Sequence, residues 1–190
     1  MVPFRLEYAS RMMDIHLWGN SLRDMLGVME SKPEYDKRLI GYAFLPMEEV
    51  DRSDYESLLK RNLPEVAPGR NKPLHGIKVL TSTGVMCAAI RTLARLDYGH
   101  VILYIKALIV DAPYRNHGIG SALLGLLDRV APLETELIAG TCSDEKAAFY
   151  QRNGFVVEDS GKSLPLKDAM ILVPADSSFP RWFHRRPFAG

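Results

Sequence analysis

Residues Arg115-Asn116-His117-Gly118-Ile119-Gly120-Ser121 constrain this chain most, because they stand between two apolar runs, Val101 to Val110 and Ala122 to Val130. A strand feeds a glycine loop, and the loop feeds a helix. Glycine tolerates positive φ and carries no Cβ, so backbone N–H groups here can close on a phosphate. The helix behind adds the positive end of its dipole. The stretch reads as a pyrophosphate cradle.

At 190 residues and 47% hydrophobic content the chain can fill one sizeable core, which predicts a single domain with additions. Its formal net charge of +1, with 25% charged residues, carries no bulk signal for a nucleic-acid partner or an acidic tail. The two cysteines, Cys87 and Cys142, lie in apolar stretches and read as reduced buried thiols, with neither a disulfide framework nor a metal site. The N-terminal residues lack a charged segment followed by an apolar run, and no window approaches 18 uncharged apolar residues. The expectation is a cytoplasmic protein without a membrane partner.

Residues 11 to 30 place Ile15, Trp18, Leu22, Met25, Leu26 and Met29 at helical spacing, interrupted by Gly19 and Gly27 and ended by Ser31-Lys32-Pro33. Arg38 to Leu45 reads as a strand, after which Asp51 or Ser53 caps a helix carrying Tyr55, Leu58 and Leu59. Beyond a polar connection with Pro64, Pro68, Gly69 and Pro73, three β-branched runs, Ile77–Leu80, Val85–Leu93 and Val101–Val110, are separated by hairpin-like turns at Thr83-Gly84 and Asp97-Tyr98-Gly99. An antiparallel meander is predicted. Its middle run contains Ala88, Ala89, Leu93 and Ala94, which favour helix, but the flanking turns decide for strand. A helix over Ser121–Val130, a strand over Glu136–Cys142, a helix opened by Ser143 with Asp144 and Glu145 and stopped by Gly154, and strands at Phe155–Glu158 and Ala169–Val173 complete the reading.

Spacing separates the nucleotide-binding alternatives. A dinucleotide fingerprint requires a third glycine where Leu123 stands, and it normally follows the first strand of a parallel sheet. A P-loop requires four residues between its glycines and a Lys followed by Ser or Thr, all absent here. The remaining pattern is Arg-x-x-Gly-x-Gly after a strand, then strand, helix and Phe149-Tyr150-Gln151-Arg152-Asn153-Gly154-Phe155. Together these motifs resemble the GCN5-related N-acetyltransferase (GNAT) family, over roughly residues 38 to 173. Two positions depart from the family pattern: Ala112, followed by Pro113, stands where Pro is frequent, and Ser143 where Asn is frequent.

The resemblance implies an α/β fold with a mixed, mostly antiparallel sheet of six or seven strands, splayed after the loop-bearing strand, with helices on both faces. It implies acetyl-coenzyme A as acetyl donor and a primary amine of a small molecule or protein as acceptor, by direct attack in a ternary complex. Backbone groups of Leu108, Ile109 and Val110 would bind the pantetheine and the carbonyl oxygen. The loop from Arg115 through Asn116, His117, Gly118, Ile119 and Gly120, with Ser121, would hold the pyrophosphate, and Ser143 would lie on the pantetheine side. Tyr150 would donate a proton to the departing thiolate; a phenol of ordinary pKa about 10 is protonated at neutral pH. No spacing singles out a base among His100, Tyr104, Glu136 and Cys142. The alternative function is an inactive coenzyme-A-binding or interaction module.

The organisation expected is an N-terminal helical extension over 1–35, the acetyltransferase domain over 36–174 and a basic aromatic arm over 175–190. The His117 side chain reads as solvated with only its backbone engaged, and Cys142 as an apolar filler. In the arm, Phe179-Pro180-Arg181-Trp182-Phe183-His184-Arg185-Arg186-Pro187-Phe188 interleaves cations with aromatics, a pattern that can serve RNA or an acidic partner. The reading adopted is an arm packing its aromatics on its own domain or on a second subunit, which leaves a homodimer open and disfavours nucleic acid.

Overall fold

Short turns dictate most of the topology. A computed structural model describes residues 37–39, 41–66, 74–97, 99–166, 174 and 178–187. The helix predicted over 11–30, with the extension over 1–35, and the strand predicted over Ala169–Val173 lie outside the described residues. In chain order the elements are β1 (Tyr42–Pro46), α1 (Arg52–Asn62), β2 (Gly76–Thr81), β3 (Met86–Asp97), β4 (His100–Val110), α2 (Ile119–Val130), β5 (Leu137–Cys142), α3 (Ala147–Arg152), β6 (Val156–Val157) and β7 (Arg181–Arg185). The seven strands form one sheet in the order β1-β2-β3-β4-β5-β7-β6.

β1 and β2 pair antiparallel from Tyr42↔Thr81 to Pro46↔Ile77. The β2–β3 and β3–β4 connections are tight turns with Gly84 at φ 80 and Gly99 at φ 82. Connections this short join antiparallel neighbours, because a parallel crossover needs a dozen or more residues. The predicted meander is therefore present, and its alanine-rich middle run is strand: Met86 to Ile90 are buried, and packing overrides their helical propensity. The first predicted strand is displaced. Lys37–Leu39 is a 3₁₀ turn and β1 begins only at Tyr42, after Gly41 at φ 90.

The parallel pair is β4 with β5, in register from Ile102↔Leu137 to Ile105↔Gly140. Pairing stops there, although β4 continues to Val110 and β5 to Cys142. This is the expected splay. On its other side β5 pairs antiparallel with β7, from Ile138↔Arg185 to Cys142↔Arg181, and β7 pairs with β6 at Val156↔His184.

The chain gathers into two compact units, one including residues up to Ala89 with Ile109–Gly120, the other Ile90–Leu108 with the chain from Ser121 onward. In the first, Tyr55, Leu58 and Leu59 form the buried stripe of α1, at the three- and four-residue spacing of one helix face. Asp51, just before that helix, accepts from the Glu48 backbone N–H at 2.8 Å and pairs with Lys78 Nζ on β2 at 2.7 Å. Its carboxylate thus secures the helix start to the sheet rather than capping it.

In the second unit the C-terminal segment packs its aromatics on its own domain, one of the two placements expected, and does so as a strand: residues 181–185 form β7, between β5 and β6. Adjacent side chains of a strand point to opposite faces, and here both faces are covered, since Trp182 and Phe183 are both buried. Trp182 joins Ile102, Tyr104, Leu137, Ala139 and Leu164 in one cluster. Phe183 turns the other way, onto Gly140 and Tyr150. The cations are internally engaged: Arg181 with Asp144, His184 Nε2 with Glu158 Oε1 at 2.9 Å, and Arg185 with the carbonyls of Asn153 at 2.9 Å and Leu124 at 2.8 Å.

Gly140 is where this packing is tightest. A Cβ there would collide with the buried Phe183 ring and come to 3.0 Å from the Ile105 carbonyl. Gly140→Ala is therefore expected to cost about 1–3 kcal/mol of stability as an overpacking change. Gly125→Ala, exposed on α2 with open space around it, should instead add about 0.5–1 kcal/mol through helix propensity. Urea denaturation of the two variants checks both signs.

Candidate active site

The loop after β4 owes its shape to two left-handed residues. Asp111 accepts a hydrogen bond from the Ala112 N–H at 3.2 Å and starts a 3₁₀ turn over Ala112–Tyr114. Pro113 is inside that turn, and Arg115 leaves it extended at φ −70, ψ 157. Asn116 then takes φ 66 and Gly118 φ 83, before α2 begins at Ile119. Asparagine and glycine are the residues that tolerate this region. Gly120 and Ser121 fall inside the first helical turn, because the helix starts two positions earlier than predicted. Arg115, Asn116 and His117 are exposed, Gly118 is half-buried and Ile119 is buried.

Side chains from earlier in the chain hold this loop. Arg115 donates from Nε to the Val110 carbonyl at 3.0 Å and from Nη2 to Asn62 Oδ1 at 2.8 Å. Asn62 Nδ2 donates to the Leu58 carbonyl at 3.0 Å and to Asp111 Oδ1 at 2.9 Å. Arg61 Nη2 reaches Asp111 Oδ2 at 3.0 Å, and the Asp111 N–H donates to the Cys87 carbonyl at 2.8 Å. His117 also departs from the sequence reading. Its Nδ1 is 2.9 Å from the Tyr42 hydroxyl, and Tyr42 in turn meets Tyr114 edge-on at 6.3 Å. Sequence reading missed Asn62, Asp111 and Tyr42, because their partners lie 49 to 75 residues away.

Of the strand residues proposed for the pantetheine, Ile109 is buried, while Leu108 and Val110 are half-buried on the part of β4 beyond its register with β5. Ser143 occupies the cap position of a 3₁₀ turn, Asp144–Lys146, but its hydroxyl makes no capping hydrogen bond. The predicted helix therefore opens as 3₁₀ and becomes α only at Ala147, ending before Gly154 at φ 78.

Tyr150 on α3 is 8% exposed. Its ring stacks on Phe183 at 3.6 Å and 11°, and meets Phe155 edge-on at 5.9 Å. Such pairs contribute about 0.5–1.5 kcal/mol each beyond area burial. Phe155 is core as expected, whereas Phe149 is only half-buried. Burial, with the neighbouring Cys142 adding to it, holds the phenol well above its usual pKa. Cys142 itself is buried, and burial pushes its thiol up to about 11, which fits a filler rather than a nucleophile.

The remaining base candidates are engaged elsewhere. His100 Nδ1 pairs with Glu136 Oε2 at 2.8 Å at the start of β4. Six residues separate His100 from Lys106, where the register with β5 has ended, or about 20 Å of strand. Tyr104 donates to Asp97 Oδ2 at 2.9 Å and is buried against Trp182.

The Asn62 amide, with Arg61 beside it, lowers the Asp111 pKa below the ordinary carboxylate value, outweighing desolvation. A depressed folded-state pKa contributes stability that is complete above the unfolded value, about 3.9, and lost as pH falls through the folded one. Asp111→Asn should therefore destabilise the protein at pH 6 and flatten the stability loss below about pH 4. Denaturant midpoints at pH 3 and pH 6 test this.

Residues 76–157 match the protein-family model described as an acetyltransferase (GNAT) domain. Among curated proteins none matches the chain in sequence. An N-acetyltransferase of unassigned activity from Lactobacillus plantarum superimposes with a TM-score of 0.60 at 11% identity, over 77% of this chain and 99% of that one. A GNAT-family N-acetyltransferase from Escherichia coli, crystallised with CoA, gives 0.54 at 16% identity, over 76% and 81%. A glucosamine N-acetyltransferase region of a fungal multi-domain β-N-acetylglucosaminidase gives 0.50 at 13%, with this chain spanning 62% of its own length and 17% of that protein. These likenesses bear on the fold. Among the described residues no helix is long and apolar enough to cross a membrane. Motif, sheet order, interrupted strand pairing and the family match over residues 76–157 agree in their likeness to the GNAT acetyltransferases.

Proposed function

We propose that this protein transfers an acetyl group from acetyl-coenzyme A to a primary amine. The observation that carries the reading is a backbone loop with left-handed Asn116 and Gly118, set between β4 and the first turn of α2. Consecutive N–H groups in such a loop form an anion-binding concavity, and the helix dipole favours negative charge beside it. The N–H groups of Asn116, His117, Gly118, Ile119 and Gly120, with Ser121, bind the pyrophosphate. Main-chain groups of Leu108, Ile109 and Val110, on the part of β4 beyond its register with β5, take the pantetheine and the thioester oxygen, with Ser143 assigned to the same arm.

In the transfer the amine nitrogen forms a bond to the acetyl carbon, the carbon–sulfur bond breaks, and its electron pair leaves on sulfur. Donors already aimed at the carbonyl oxygen stabilise the charge that develops there. The Tyr150 hydroxyl gives its proton to the thiolate. Because burial keeps that phenol protonated, the acid is present throughout the neutral range. The amine proton passes to water, and water returns one to the Tyr150 phenolate, which closes the cycle.

Thermal-shift measurements with acetyl-CoA, desulfo-CoA and NAD test the cofactor class: the first two should raise the melting temperature by mass action and NAD should not. Equal stabilisation by NAD, or none by any of them, contradicts it. Tyr150→Phe preserves the stacking on Phe183 and should leave stability nearly unchanged while lowering kcat by roughly 10²-fold or more. Unchanged turnover would reassign the acid. CoA binding without turnover for any amine would favour an inactive binding module.

A further inference from the structure

The geometry points to Asn62 as a positioning residue for the phosphate loop, with Arg115 acting as the strut it holds rather than as the phosphate's counter-charge. This inference rests on the acetyltransferase reading. The Arg115 guanidinium spends Nε on the Val110 carbonyl at 3.0 Å and Nη2 on Asn62 Oδ1 at 2.8 Å. Its planar fork thus bridges the strand end and the last residue of α1. Asn62 uses its amide fully: Oδ1 accepts from Arg115, while Nδ2 donates to Leu58 and to Asp111 Oδ1 at 2.9 Å. It therefore holds both ends of the 111–115 turn, leaving from which the chain enters the left-handed Asn116 and Gly118. Tyr42 gives a second hold through His117, at 2.9 Å.

Asn62 and Tyr42 both precede residue 76, where the match to the family model begins. The loop is consequently held in part by side chains outside the matched span. A cradle that binds through backbone N–H groups gains affinity from being rigid beforehand, because less ordering remains to be done on binding. Asn62 acts on the cofactor only through that rigidity.

Calorimetry of CoA binding to wild type, Asn62→Ala, Arg115→Ala, Arg115→Lys and the double alanine variant tests this, with amide hydrogen exchange at residues 116–120 measured without ligand. Each alanine variant should weaken CoA about tenfold, the loss expected for one hydrogen bond to a charged group. The double variant should be no more than about threefold worse than either single, because the two side chains form one strut. Arg115→Lys should fail to rescue, since an ammonium cannot bridge two acceptors as the fork does. Loop amides should exchange faster in Asn62→Ala and in Arg115→Ala. Multiplicative losses, rescue by lysine, or unchanged loop exchange would each overturn the inference. Arg115 is exposed, so its variants decide the matter even where Asn62→Ala folds poorly. A wild-type protein that fails to bind CoA would overturn the acetyltransferase reading instead, while the exchange comparison still judges the strut.

Discussion

The contact between Phe183 and Gly140 is the constraint on which the second unit depends. β7 can lie beside β5 with Phe183 turned inward only because position 140 carries no side chain. Gly140 is also the last residue of β5 in register with β4, opposite Ile105. The same Phe183 ring supports Tyr150 from below, in a near-parallel stack. One absent Cβ thus accommodates an inserted strand at the end of the parallel pairing and a fixed platform for the aromatic hydroxyl to which we assign the acid role.

In the other unit an apolar stripe on α1 fills the core, while the loop after β4 is held by polar contacts. Asp111, Asn62, Arg61 and Arg115 form a chain of hydrogen bonds at the surface, where single ion pairs contribute little but a network of fixed geometry can hold a loop. The division suits the chemistry proposed. A phosphate site gains from oriented N–H groups that stay wet until filled, whereas a proton donor to sulfur gains from burial that keeps it neutral.

What the sequence made legible was local. The glycine loop, the tight turns at Gly84 and Gly99 and the stop at Gly154 each follow from backbone chemistry within a few residues, and all carry positive-φ glycines. The Phe149–Phe155 motif added specificity to the loop. What stayed hidden was long-range. β7 read as a cationic arm because its buried residues, Trp182 and Phe183, are adjacent, and adjacency signals a strand only when both faces are known to be covered. Its pairing with β5 spans 39 to 47 positions in the chain, beyond any local pattern. Gly140 inside an apolar run was the available sign of a close backbone approach. Nothing near Asn62 announces its partner 53 residues on.

The central claim is that main-chain groups of the splayed strand and the loop bind the cofactor. Amide hydrogen exchange across residues 106–121, with and without acetyl-CoA, tests it most directly. Slowed exchange is expected at the loop amides 116–120 together with the amides of Leu108 and Val110, beyond the register with β5, and little change across β1 and β2. Protection confined to other segments, or none at saturating acetyl-CoA, would contradict it.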